Sequence, residues 1–104
     1  MDKREIDTQK ITVYWWNFGT KTLDFKGTYK DYFKRRGIKV VPFIRRGFYG
    51  YRFSVCIGSE KIILEAPRNE YRGSCDNIIK MFLTVMGDKS KLLTQYNEYF
   101  INWR

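Results

Sequence analysis

The chain has 104 residues, 43% of them hydrophobic, 18% aromatic and 30% charged. That length suits a single domain over 1–104 that buries roughly two thirds of its unfolded surface, and so many apolar groups argue against disorder. The net charge of +9 directs attention to a polyanionic or acidic partner.

No apolar run approaches the roughly 18–20 residues that cross a membrane. Met1-Asp2-Lys3-Arg4-Glu5 lacks the apolar core of a signal peptide, so the expectation is a soluble, cytoplasmic protein. There is no histidine, and Cys56 and Cys75 are the only thiols. A zinc site therefore has no ligand set, no cofactor is implied, and the two cysteines read as small hydrophobes.

Residues 1–9 alternate acid and base, as a loosely docked arm would. Residues 10–18 (KITVYWWNF) read as a strand, with Ile11, Val13 and Trp15 on one face and Thr12, Tyr14, Trp16 and Phe18 on the other. Large side chains on both faces suit a central strand. Gly19-Thr20 turns the chain into a short strand over residues 21–25. Thr28 and Asp31 then form a helix start of capping-box type, Tyr29, Tyr32, Phe33 and Arg36 share a helical face, and Gly37 stops the helix. Lys34, Arg35 and Arg36 lie in its last turn, where cations favour the helix dipole.

Residues 38–46 return to strand character, and Pro42, which lacks an amide donor, assigns them to an edge or a bulge. Gly47-Phe48-Tyr49-Gly50 is expected to turn the chain back. Tyr51, Phe53, Val55 and Ile57 then alternate with Arg52, Ser54 and Cys56, the period of a half-buried strand. Gly58-Ser59 suits a tight hairpin, and Ile62, Leu64 and Ala66 share one side of the strand beyond it. The expected fold class is α+β: an antiparallel sheet of three to five strands, with a three-strand meander over residues 38–66 covered by one or two C-terminal helices.

Residues 67–73 read as a loop and Ser74 as a helix cap. Cys75, Ile78, Ile79, Phe82, Val85 and Met86 follow as one helical stripe that should cross the meander. Leu92, Leu93, Tyr96, Phe100 and Trp103 continue the pattern, leaving residues 91–103 open to helix or strand.

Catalysis has little to work with. Asp24, Asp31, Glu60, Glu65, Glu70, Asp76 and Glu98 are scattered singly, no spacing forces two carboxylates together, and no Walker loop or nucleophile elbow is present. The charge is more telling. Residues 26–52 hold nine basic side chains against the single acid Asp31, which leaves +8 of the +9 in this window.

Within that window Arg45-Arg46-Gly47-Phe48-Tyr49-Gly50-Tyr51-Arg52-Phe53 resembles a strand signature of the RNA recognition motif: basic, Gly, aromatic, small, aromatic. Val13-Tyr14-Trp15-Trp16-Asn17-Phe18 is similar to that family's first-strand motif. The helix ending Tyr32-Phe33-Lys34-Arg35-Arg36-Gly37 sits where its first helix would. The resemblance spans residues 13–53 and implies RNA bound on a sheet by stacking rings. Strand parity opposes that register: with Tyr49 and Tyr51 outward, Arg52 and Ser54 would enter the core. The opposite register turns Arg46, Phe48, Gly50 and Arg52 outward and leaves Phe48 as the stacking ring. Meander followed by helix is also similar, in architecture alone, to a DNA-binding fold whose three-stranded sheet lies in the major groove.

The expectation is a small, non-catalytic module that binds RNA or DNA. Arg45, Arg46 and Arg52 would neutralise phosphates or read guanine edges, and Phe48 with Tyr49 would stack on an unpaired base. Lys30, Lys34, Arg35 and Arg36 would extend the patch along the first helix. The alternative is a small inhibitor or adaptor of phage or mobile-element type that docks on an acidic surface of a larger enzyme, anchored by Tyr, Trp and Arg. A solvated basic face with no ligand is the plainest reading. The Pro42 edge strand or the aromatic C-terminus could also support a dimer.

Overall fold

The computed structural model describes residues 3–17 and 20–86. In chain order these form α1 (Lys3–Asp7), β1 (Lys10–Asn17), β2 (Thr20–Thr28), α2 (Tyr29–Arg36), β3 (Lys39–Arg45), β4 (Phe48–Ile57), β5 (Glu60–Pro67), a 3-10 turn (Arg68–Glu70) and α3 (Tyr71–Met86). The protein is α+β with two antiparallel sheets, one ordered β1-β2 and the other β3-β4-β5. None of these helices is long and apolar enough to cross a membrane.

The meander follows from its two turns. Gly58 adopts φ 58° in the tight turn that sets Ile57 opposite Glu60. At the other end Arg46 and Gly47 both have positive φ, 50° and 83°, the pattern of a two-residue hairpin that matches strand twist. The turn is therefore Arg46-Gly47, and Phe48 already pairs with Arg45. That corrects the expected turn over 47–50, which the spaced glycines suggested. Gly50 instead permits a close approach within the sheet, since a Cβ there would lie 2.5 Å from the Ala66 carbonyl oxygen and 3.0 Å from the Phe43 ring.

Counting from these turns, Tyr51, Phe53, Val55, Ile62, Leu64 and Ala66 share the face covered by α3. Phe53, Val55, Ile62 and Ala66 are buried there. β3 is an edge strand, as Pro42 requires. From α3 come Tyr71, Cys75, Ile78, Ile79, Phe82 and Leu83, all buried. The expected stripe holds through Phe82, and Val85 is partly buried against the core, but Leu83 is buried in place of Met86, which is exposed. The helix also begins at Tyr71, four residues before the expected first helical position after the Ser74 cap. Ser74 is no cap: its hydroxyl donates to the Glu70 carbonyl at 2.8 Å, one turn back inside the helix.

α2 forms as its sequence signals require. The Thr28 hydroxyl accepts from the Asp31 amide at 3.2 Å, and Gly37 closes the helix at φ 71°. Tyr29, Tyr32 and Phe33 are buried, with Phe33 against Phe53 at 6.1 Å and Tyr32 against Phe82 at 6.3 Å. α2 thus packs on the same side of the meander as α3.

The N-terminal region departs further from expectation. The segment expected to be loose contains α1, and Ile6 joins the core. Among the described residues β1 is not a central strand, because its sheet there has two strands. β2 is longer than expected, and the β1–β2 register shifts between Val13 and Tyr14. The extra residue is Asp24, and a bulge of this kind re-aims a side chain. Residues 91–103, expected as helix or strand, lie outside the described residues.

Three core tyrosines each donate a hydroxyl hydrogen bond to an aspartate: Tyr29 to Asp76, Tyr32 to Asp24 at 3.2 Å, and Tyr71 to Asp7 at 2.8 Å. A buried phenol needs such a partner. The pairs tie α2 to α3, α2 to β2, and α3 to α1.

Candidate functional site

Where β5 ends, the β3–β4 hairpin continues. The last β4–β5 pair is Gly50 with Pro67, so among the described residues Phe48 and Tyr49 have strand neighbours on β3 alone. This overhang exposes both of its faces: Ile44 is 66%, Phe48 76% and Tyr49 63% exposed. Arg45 ends β3, and Arg46 occupies the first position of the turn. Asn, Asp or Gly would be relaxed at that φ, whereas a long side chain there is strained by about 1–2 kcal/mol.

The face of the meander away from the helices is built on the same register. Val41, Phe43 and Arg45 of β3 lie beside Gly50 and Arg52 of β4 and Glu65 of β5. Because Gly50 has no side chain, the Phe43 ring lies over it. The guanidiniums of Arg45 and Arg52 flank that ring at 5.7 and 5.6 Å. Glu65 receives both arginines, at 3.3 Å from Arg45 and 3.5 Å from Arg52. These are partly exposed pairs, worth little to stability.

Two hollows flank the overhang. The front one, about 370 Å³, is lined by Phe43, Phe48, Tyr49, Ala66 and Pro67 and by the charged side chains of Arg45, Arg46 and Glu65. The rear one, about 460 Å³, is bounded by Pro42, Ile44, Tyr49, Tyr51 and Arg68.

Of the nine residues singled out from sequence, Arg45, Arg46, Phe48, Tyr49 and Arg52 come together around this hairpin. Lys30, Lys34 and Arg35 do not join them. They are exposed on α2, on the helical side of the meander, and Arg35 lies over the Phe25 ring at 5.1 Å. Six strand steps from Lys39 to Arg45 carry the turn roughly 20 Å from the end of α2. Arg36 is directed inward, bound to Asp24 at 2.6 Å and packed over Tyr32 and Phe82. Burial works against its charge, but Asp24 outweighs that cost and holds the guanidinium pKa above its usual value. The single patch expected over residues 26–52 is therefore two patches and one internal ion pair.

Phe43, Glu65, Pro67 and Arg68 were not singled out. For Glu65 the signal was available: counting outward from Gly58-Ser59 places it opposite Arg52. For Phe43 and Pro67 the point where β5 stops decides, and nothing local marks it.

Elsewhere the titratable groups serve the fold. Burial drives the Tyr29, Tyr32 and Tyr71 phenols well above their usual pKa, with Asp76, Asp24 and Asp7 adding to the effect. Burial also raises the Asp76 carboxyl to about 6, although the Tyr29 hydroxyl, Lys80 and Arg72 pull it down. Cys75 is buried and Cys56 exposed, and neither forms a disulfide. Among the described residues no group of three or more Cys, Asp or Glu side chains could hold a metal ion. No protein-family model, curated protein or solved structure matches the chain.

Proposed function

We propose that this protein is a non-catalytic nucleic-acid-binding module whose contact surface is the β3–β4 overhang with the adjoining open sheet face. One observation carries the reading: Arg45, a strained Arg46 and the exposed rings of Phe48 and Tyr49 stand together beyond the reach of the core. Cations beside uncovered rings suit phosphates beside bases. Of the described acids, Glu65 alone is paired with Arg45 and Arg52 on this face, while Asp7, Asp24 and Asp76 are engaged by core tyrosines, so three arginines face one carboxylate.

A mobility-shift titration of single- and double-stranded RNA and DNA at several salt concentrations tests this. Affinity should fall steeply with salt, because each neutralised phosphate contributes a slope of roughly 0.7–0.9. Retention of no nucleic acid at low salt would remove the reading.

A second reading, a small inhibitor or adaptor docking on an acidic protein surface, draws on the rear hollow. Ile44 beside Tyr49 and Pro42 makes an aliphatic surface that suits an interface anchor better than a base. Recovery of a stoichiometric protein partner that Ile44→Asp abolishes, with no nucleic acid retained, would favour it.

A further inference from the structure

We infer that the front hollow takes one unpaired nucleobase, so that the ligand is a single strand rather than a duplex. This rests on the nucleic-acid reading above and says which part of the polymer enters, and where.

The hollow has two apolar sides, the Phe48 ring and Pro67, with Phe43 and Ala66 beneath. Its volume of about 370 Å³ falls at the small end of ligand sites. Its charged lining is mixed: Arg46 and Arg45 both line it, and Arg45 is already engaged by the Glu65 carboxylate at 3.3 Å. A phosphate brought inside would meet that carboxylate, and two like charges at such range repel. A neutral, flat, polarisable group meets no such penalty and can stack on the ring. The phosphates then belong at the solvent side of the hollow, at Arg46, which lines it and is exposed on the turn.

Geometry excludes a paired base from this position. In a duplex the faces of the bases are stacked on their neighbours and present only their edges in the grooves. Phe48 stands off the end of the hairpin with nothing across from it on β5, a position that a splayed base can reach and a stacked one cannot.

Fluorescence anisotropy with the full chain decides the matter, using a labelled single-stranded octanucleotide and a duplex of the same sequence. The single strand should bind more tightly. Phe48→Ala should weaken it by roughly ten- to hundredfold while leaving the salt slope unchanged, since no charge is removed; Phe48→Trp should retain binding. Phe48 is exposed, so the variants should fold, and circular dichroism verifies that. A duplex bound as tightly as the single strand, with Phe48→Ala neutral for both, overturns this inference and leaves the nucleic-acid reading standing. Binding of neither form removes both. Sedimentation of the free protein as a dimer that Phe48→Ala dissolves would assign the hollow to a second copy, and would also overturn it.

Discussion

The two ends of the β3–β4 hairpin are made from the same two strands and obey different rules. Near Lys39 and Ser54 the strands lie under α2 and α3, and Phe53 and Val55 are buried while Ser54 and Cys56 face outward. Near Arg46 the alternation continues in sequence, yet Ile44, Phe48 and Tyr49 are all exposed. Alternation reports which side chains share a face. Whether that face is buried depends on what lies across it, and at the overhang nothing among the described residues does.

The largest expected contrast compares two phenylalanines on β4. Phe53→Ala should cost about 3–5 kcal/mol, because that ring fills a closed site, while Phe48→Ala should change stability by less than about 0.5 kcal/mol. Chemical denaturation of both variants measures this. Similar midpoints would mean that the overhang is part of the core.

A smaller effect comes from pH. Burial holds the Asp76 carboxyl at about 6 against an ordinary 3.8, so folding favours its protonated form. The stability it contributes is complete below its unfolded pKa and is lost as pH rises through about 6. The loss is on the order of 2–3 kcal/mol. Asp76→Asn should flatten the stability profile between pH 4 and pH 6, about the interval between those two values, and an unchanged profile would contradict the assigned burial.

Smaller again are the backbone effects at the overhang. Gly50→Ala should destabilise by about 1–3 kcal/mol, because a methyl group meets the Ala66 carbonyl. Arg46→Asn should act in the opposite sense, raising stability by about 0.5–1 kcal/mol by relieving the left-handed strain while weakening nucleic-acid binding. A variant that loses both stability and binding would mean that Arg46 supports the fold rather than a ligand.

Much of the fold was legible in the sequence because local chemistry specified it. Thr28, Asp31 and Gly37 bracket α2, Gly58-Ser59 turns β4 into β5, and parity separates Phe53 from Arg52. The misreadings share one cause, which is long-range packing. Met86 has the helical spacing of a core residue, but Leu83 is the one α3 buries. Ile6 sits in a charged arm, and its burial comes from packing within the assembled core. Arg36 belonged to a basic triplet until the β2 bulge aimed Asp24 at it. The candidate site was legible in its residues and not in its limits: Arg45, Arg46 and Phe48 stood out, but the separation of Lys30, Lys34 and Arg35 depends on which side of the sheet α2 occupies.

That separation makes the decisive measurement simple. The salt dependence of nucleic-acid affinity would be compared for wild type, an Arg45→Ala/Arg46→Ala double variant, and a Lys30→Ala/Lys34→Ala/Arg35→Ala triple variant. Binding at the overhang requires the double variant to lower the slope by up to roughly 1.4–1.8 and the triple variant to leave it nearly unchanged. The reverse pattern, with α2 carrying the slope and the hairpin none of it, would contradict the assignment of the site.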